Sequence, residues 1–173
     1  MVYGWKLAPN DAVREELEKF AEQVYGTRKA ARPDNYDTAA LPVVDYENKV
    51  VAGDIIGICK YIIPMFFPPF FDVTSKLASL ATGVEISEDE LMAAAQRVTT
   101  LERAYNVIMG MRRKDDTMPK RLFEEPVPSG PHKGERLEKG DFDKMLDHYY
   151  SLHSYNKEGI PTEEAFKNND LLE

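Results

Sequence analysis

The stretch SEDELMAAAQRVTTLERAYNVI, residues 87–108, decides the fold class of this chain. Ser87 and Glu90 have the spacing of a capping box, in which each side chain satisfies a free backbone amide at the start of a helix. Apolar residues then recur at intervals of three and four, which predicts a long amphipathic helix with one buried face. The expected buried face consists of Leu91, Ala94, Val98, Leu101, Tyr105 and Ile108.

Further helices are predicted on both sides of this stretch, because capping and stop residues frame other apolar-periodic segments. Their expected ranges are residues 11–25, with Asn10 or Asp11 as a cap and Gly26 as a stop, and residues 39–61, 72–82 and 141–152, the last with Asp141 as a cap. A short helix is expected after Pro161, capped by Thr162. Residues 112–140 are rich in proline, glycine and charge, so we expect a long surface excursion there. No strand-like alternation is present. The sequence therefore predicts a mainly α class: an irregular multi-helix domain with long loops and little or no β structure.

The charge balance limits the classes of partner. Acidic residues outnumber basic ones, 30 to 22, and the net charge is −8. This charge repels nucleic acid phosphates and anionic membranes, so we expect neither as a partner. The most apolar run, residues 55–73, contains Lys60 and three prolines, which exclude a continuous spanning helix. No signal-peptide pattern opens the chain, which favours a cytoplasmic location.

Cys59 is the only cysteine in 173 residues, and it follows a glycine turn. A lone thiol can be a nucleophile, a small buried side chain or one ligand of a metal site. Asp54, five residues earlier, could accept paired hydrogen bonds from a flat pterin ring, and Gly53 and Gly57 would permit close approach of the backbone. The residues alone favour a buried structural cysteine beside an exposed aspartate, because free cysteine usually behaves as a small hydrophobe.

A family resemblance changes that balance. Residues 54–59, DIIGIC, resemble the Asp-x-x-Gly-Leu-Cys signature of the tungsten-containing aldehyde:ferredoxin oxidoreductases, with Ile58 in place of leucine. Further segments resemble that family in the same order: 77–83, 90–107, 115–121, 125–131, 145–150 and 159–162. The similarity covers about residues 39–171. We therefore expect a C-terminal helical domain over residues 39–173, preceded by a poorly matched N-terminal helix and polar loop over residues 1–38.

The resemblance implies a function and a site. In that family, a tungsten ion held by two pterin dithiolenes oxidises an aldehyde to the carboxylic acid, and a 4Fe-4S cluster passes the electrons to ferredoxin. By position, Cys59 corresponds to the fourth cluster ligand and Asp54 to the pterin-contacting acid. Gly57 and Ile58 correspond to backbone contacts with the cofactor.

The departures from the family bear on activity. The Cys-x-x-Cys-x-x-x-Cys run that supplies the other three cluster ligands is missing, as is the sheet domain that cradles the pterins. One thiolate cannot hold a cubane cluster, which needs four ligands. We therefore expect the isolated chain to be inactive, and to need the remaining domains or a subunit with the three-cysteine run. The alternative is a redox-inert helical interaction module that kept the fold without the cofactors.

Other candidate features carry less weight. The aromatic and proline run at residues 62–71 fits the lining of an apolar channel, a docked surface or ordinary core. His148 and His153 are five apart, which does not place them on one helix face, so we predict surface histidines, as for His132 in its loop. The basic residues at 111–114 and 120–121 favour a solvated loop over a ferredoxin-docking patch. Motifs typical of hydrolases or of phosphate-binding loops are absent from the sequence.

Overall fold

The computed structural model describes residues 10–32, 35–59, 70–130 and 133–172. Within these ranges the chain forms seven α-helices and no strand, apart from an isolated antiparallel bridge between Tyr155 and Pro161. The helices are α1 Asp11–Tyr25, α2 Ala40–Ile56, α3 Phe70–Thr82, α4 Glu88–Ile108, α5 Arg121–Glu124, α6 Lys139–Leu152 and α7 Glu163–Asn168, with 3₁₀ turns at Arg28–Ala31 and Arg113–Asp115. The mainly α prediction is confirmed. No helix in the described ranges is long and apolar enough to cross a membrane.

Local chemistry sets the helix ends that the sequence predicts. The backbone N–H of Ser87 donates to Glu90 Oε2 at 2.8 Å, and the Glu90 N–H donates to Ser87 Oγ at 3.2 Å. The Ser87 hydroxyl also donates to Glu90 Oε2 at 2.8 Å, and the two bonds that Ser87 donates to this carboxyl hold its pKa below the usual value. The Asn10 side chain accepts from the Val13 N–H at 3.1 Å, and α1 ends at Gly26. Both capping predictions are therefore confirmed.

The chain divides into two compact units, residues 1–43 with 112–152, and residues 44–111 with 153–173. In the first unit, α1 packs Ala21 against Ala30 and Ala31 of the following 3₁₀ turn. Also in that unit, Tyr150 is 2% exposed, and its hydroxyl donates to the Asp116 carboxylate. The division expected at residue 38 rests on family resemblance and stays a prediction.

The second unit has the larger apolar core. Its fully buried members are Ala52 from α2, Phe70 and Phe71 from α3, and Leu91 and Ala95 from α4. The rings of Phe70 and Phe71 meet edge to face with centroids 5.3 Å apart. Half-buried residues surround this core: Val50, Val51, Ile56, Ile86 and Met92. The core thus joins the C-terminal part of α2, the start of α3 and the first half of α4 in one apolar cluster.

Three predicted features differ from the structure. The helix expected over 39–61 ends at Ile56, because Gly57 adopts a left-handed conformation with φ of 76°. The excursion expected over 112–140 contains the 3₁₀ turn and the short helix α5. Helix α6 begins at Lys139, so Asp141 lies in its first turn and is not its cap. Gly57 explains the first difference, since a positive φ cannot continue a right-handed helix.

The apolar stripe of α4 is buried over only part of its length. Leu91 is 3% exposed, whereas Leu101 is 48%, Tyr105 64% and Ile108 81% exposed. The prediction of one buried face along the whole helix is therefore wrong for its C-terminal half. Phe70 and Phe71, the end of the predicted aromatic and proline run, belong to the core, while residues 62–69 and His132 lie outside the described ranges.

Candidate cofactor-contacting site

The Asp54–Cys59 segment forms the C-terminal end of α2 and the turn that follows it. The Ile58 N–H donates to the Gly53 carbonyl oxygen at 2.8 Å, and the Gly57 N–H donates to the Asp54 carbonyl oxygen at 3.3 Å. This pair of bonds, with glycine in the left-handed region, is a Schellman motif. The motif ends the helix at a fixed point and leads residues 57–59 away from the helix axis.

The turn leaves the predicted site residues accessible. Asp54, Gly57 and Cys59 are exposed, and Ile58 is half-buried. The exposure of Cys59 removes the interpretation favoured by the residues alone, a buried structural cysteine. An exposed sulfur and an exposed carboxylate on one short segment fit a ligand that approaches the end of α2 from outside. The individual roles of the four residues stay predictions.

The donor set fits a shared metal site and not a complete one. No group of three or more His, Cys, Asp or Glu side chains that could hold a metal ion occurs in the part of the chain that the structure describes. Cys59 can supply one thiolate, and an iron-sulfur cubane needs four ligands. These residues therefore fit one contact with a cluster and one with a pterin, and any cluster would take its other ligands from elsewhere.

A second group of ionisable side chains lies in the same unit and was missed by the sequence analysis. His153 Nε2 lies 2.9 Å from Glu47 Oε2, and the two side chains are 6% and 28% exposed. The prediction of a surface histidine at 153 is therefore wrong. The Glu47 carboxylate comes from α2, far away in sequence, and helical spacing around His153 carries no information about such a partner.

Tyr155 packs beside this pair. Its ring stacks on His153 with centroids 5.1 Å apart and an interplanar angle of 21°, and the Arg103 guanidinium lies 6.0 Å from the centroid of the Tyr155 ring. Burial raises the pKa of the Tyr155 phenol to about 12. The Thr100 side chain nearby lowers this pKa, the Glu47 carboxylate raises it, and Arg103 lowers it. The Tyr155 phenol is therefore neutral over the ordinary pH range.

The segment that follows His153 is held on α4 by polar contacts. Arg103 Nε donates to the Gly159 carbonyl oxygen at 2.7 Å, and Arg97 Nε donates to the Asn169 carbonyl oxygen at 2.9 Å. The Asn169 side-chain amide donates to Thr100 Oγ1 at 3.2 Å. These contacts run along one side of α4 and fix the C-terminal segment in place.

The other notable surface is the exposed apolar end of α4. Leu101, Tyr105, Ile108 and Met109 follow one another at intervals of four, three and one, and Met109 is 69% exposed. Contiguous exposed apolar residues on one helix often mark a surface that contacts another protein or domain. We call these four residues the α4 apolar face.

Comparison with known proteins identifies the family. The model of the family described as aldehyde ferredoxin oxidoreductase, domains 2 and 3, matches residues 3–171. A tungsten-containing aldehyde ferredoxin oxidoreductase of Pyrococcus horikoshii is 32% identical over 141 residues, which are 81% of this chain and 22% of that protein. The WOR-like subunit of an aliphatic sulfonate oxidoreductase of Pyrococcus furiosus is 29% identical over 163 residues, 90% of this chain and 25% of that protein.

A solved structure gives the same indication. The active site complex BamBC of benzoyl coenzyme A reductase, in complex with 1,5-dienoyl-CoA, superposes with a TM-score of 0.69 and 26% sequence identity. The match covers 94% of this chain and 26% of that chain. This chain thus spans about a quarter of the length of the relatives that it matches. It belongs to the aldehyde ferredoxin oxidoreductase family, in which it is homologous to the C-terminal region of the tungsten-containing enzymes.

Proposed function

We propose that this chain is a cofactor-contacting part of a tungsten-pterin, 4Fe-4S aldehyde oxidoreductase. In this proposal Cys59 provides one cluster thiolate, and Asp54 contacts a pterin. The observation that carries the proposal is the exposed thiol of Cys59, presented directly after the Schellman turn at Gly57. A thiolate can bind iron only when its sulfur is accessible, and this turn provides that access.

The bound cofactors would supply the redox chemistry, taking two electrons from an aldehyde and passing them on to ferredoxin. The residues of this chain bind and orient. The Asp54 carboxylate can accept two hydrogen bonds from adjacent N–H groups of a pterin, a charge-assisted and directional contact. Gly57 has no side chain to obstruct a flat ligand, and the half-buried Ile58 keeps the turn anchored.

The proposal requires another component. Cys59 is the only cysteine of the chain, so three further ligands have to come from another part of the enzyme, in the same polypeptide or in a second one. The α4 apolar face offers a surface for contact with such a part, because four large apolar side chains there are exposed. We expect the chain by itself to show no aldehyde oxidation.

Iron analysis of the assembled enzyme tests the cluster contact. The chain is combined with the component that carries the three-cysteine run, and iron content and the electron paramagnetic resonance spectrum are measured for the unaltered chain and for Cys59→Ser. We expect Cys59→Ser to lose at least one iron per cluster, because serine is a poor iron ligand. The matched control is Ser151→Ala, an exposed position on α6 that should leave both readouts unchanged. Full iron content in Cys59→Ser would contradict the ligand assignment.

The second candidate function is a redox-inert helical interaction module. The α4 apolar face favours it, since a docking surface is useful with or without cofactors. The same experiment separates the two functions. A module of this kind would bind its partner, yet the unaltered chain would add no iron to the assembly, and Cys59→Ser would behave like the unaltered chain.

A further inference from the structure

We propose that the contact between Glu47 and His153 is a positioning contact that fixes helix α2, and with it the Asp54–Cys59 segment, relative to α4. Glu47 and His153 would then be positioning residues, acting through the helix and touching no cofactor. The ligand that the Asp54–Cys59 segment contacts rests on the proposed function. The positioning of this segment by Glu47 and His153 does not depend on that function.

The contact has the properties of a specific constraint. The Nε2 and Oε2 atoms lie 2.9 Å apart, which is an ion-pair distance, without the alignment of a hydrogen bond. The His153 side chain is 6% exposed, and water competes weakly for it. Two polar groups in such surroundings interact more strongly than in water, and loss of one partner leaves the other unsatisfied.

His153 is itself held on α4. Its ring stacks on Tyr155, the Arg103 guanidinium lies over the Tyr155 ring, and the same segment is bonded to Thr100 through the Asn169 side chain. Thr100 and Arg103 both belong to α4. The Glu47–His153 contact therefore ties α2 to α4 through the segment that follows α6.

The geometry of α2 carries this constraint to the candidate site. Asp54 lies seven residues after Glu47, two helical turns and about 10.5 Å along the axis, on the same helical face. A helix is stiff over two turns, so a rotation at Glu47 moves Asp54 by a similar angle. The buried residues of α2 nearest the site are Ala52 and Gly53. Ala52 has one side-chain carbon and Gly53 has none, so their packing constrains the rotation of α2 about its axis only weakly. Val51 and Ile56 add only partly buried contacts.

A distance measurement tests the proposal without any cofactor. Because Cys59 is the only cysteine, one added thiol, Glu102→Cys at an exposed position of α4, gives two nitroxide sites in one unit. Double electron–electron resonance on the 173-residue chain then measures the distance distribution between the end of α2 and α4. We expect Glu47→Gln and His153→Gln each to widen that distribution about twofold, and the double variant to widen it no further than either single variant.

Two controls separate positioning from general loosening. Arg97→Gln removes contacts of the same C-terminal segment with α4 but leaves the Glu47–His153 contact, so the distribution should stay narrow. The exchanged pair, Glu47→His with His153→Glu, should restore the original width. An unchanged width in Glu47→Gln, or equal widening in Arg97→Gln, would overturn the proposal. If His153→Gln does not fold, the width of the distance distribution in Glu47→Gln tests the proposal, because the Glu47 side chain is more exposed than that of His153. Failure of the iron test would leave this result unaffected.

Discussion

The Tyr155 phenol gives the sharpest test of the polar contacts in the second unit. The ring is 7% exposed, and burial raises its pKa from 10.0 to about 12. The folded chain therefore holds the phenolic proton more tightly than the unfolded chain. This contribution to the free energy of unfolding is complete below pH 10 and is lost as the pH rises from about 10 to 12. Two pKa units correspond to about 2.7 kcal/mol.

Substitution of Tyr155 by phenylalanine removes the titrating group and its hydroxyl contact. At pH 8 we expect Tyr155→Phe to lower the free energy of unfolding by about 1 kcal/mol, because the polar contact of the hydroxyl with the Thr100 side chain is lost. Above pH 12 the order of stability should reverse, since ionised Tyr155 costs more than this contact contributes, and the variant should be the more stable by about 1.7 kcal/mol. The two stability curves should cross between about pH 10 and 11.

Urea denaturation followed by circular dichroism, from pH 8 to 12.5, measures both curves. The difference between them isolates Tyr155, because lysines and other tyrosines titrate equally in both proteins. Tyr105→Phe is the matched control for removal of a phenol, since Tyr105 is 64% exposed. A difference for Tyr155→Phe that stays constant across the range would refute both the burial of the phenol and the reasoning from its pKa.

Two further predictions concern the candidate site and the helix α4. Gly57→Ala should lower the free energy of unfolding by about 1–2 kcal/mol in urea denaturation, because φ at Gly57 is 76°, a left-handed conformation that is unfavourable for alanine. No atom lies within 4 Å of the added Cβ, so a clash would not contribute to this loss. A neutral effect would contradict the Schellman turn. Leu91→Ala should cost about 2–5 kcal/mol, since Leu91 is 3% exposed, whereas Ile108→Ala, at 81% exposure, should cost less than about 0.5 kcal/mol. Equal losses in these last two variants would place the α4 apolar face in a core.

The sequence predicts the elements whose determinants are local. The capping box at Ser87 and Glu90, the Asn10 cap and the stop at Gly26 each depend on residues within one turn of each other, and all are present. Thr162 likewise caps α7 by accepting from the Ala165 N–H at 3.3 Å. Such contacts form whatever the rest of the chain does, so a reading of short segments finds them.

The missed features depend on contacts between distant residues. Helical periodicity places Leu91 and Ile108 on related faces of α4, but it does not say how far along the helix a neighbour extends. The core ends beyond Ala95, and Ile108 is exposed as a result. For His153 the spacing argument assumed a helical position, but α6 ends at Leu152, and the environment of His153 is set by Glu47 from α2, which no local pattern encodes.

The role predicted for Cys59 depends on the family resemblance, because the residues around it do not identify a ligand by themselves. The sequence predicts a helix through Gly57 to residue 61, whereas in the structure the helix ends at Ile56 and the thiol beyond the turn is exposed. Neither the turn at Gly57 nor the exposure of the Cys59 thiol identifies iron as a ligand. The assignment of a cluster ligand comes from the order of several segments that match the family, and only metal analysis of an assembled enzyme can test it.

In the proposed function, Cys59 supplies one of four cluster ligands, so the fold has to hold its sulfur in the right position relative to the other three. The free energy that Cys59 could add to cluster binding depends on how often its sulfur lies at bonding distance when the other three ligands are in place. This fraction of time acts as an effective concentration of the fourth ligand. Apolar packing through Ala52 fixes how close α2 lies to the core but constrains its rotation weakly. The Glu47–His153 contact holds α2 at a second point along its axis, so the two contacts together limit its rotation as well as its separation from the core. Under the proposed function, this chain would offer a pre-positioned thiolate, and loosening α2 should then weaken cluster retention even though every ligand is still present.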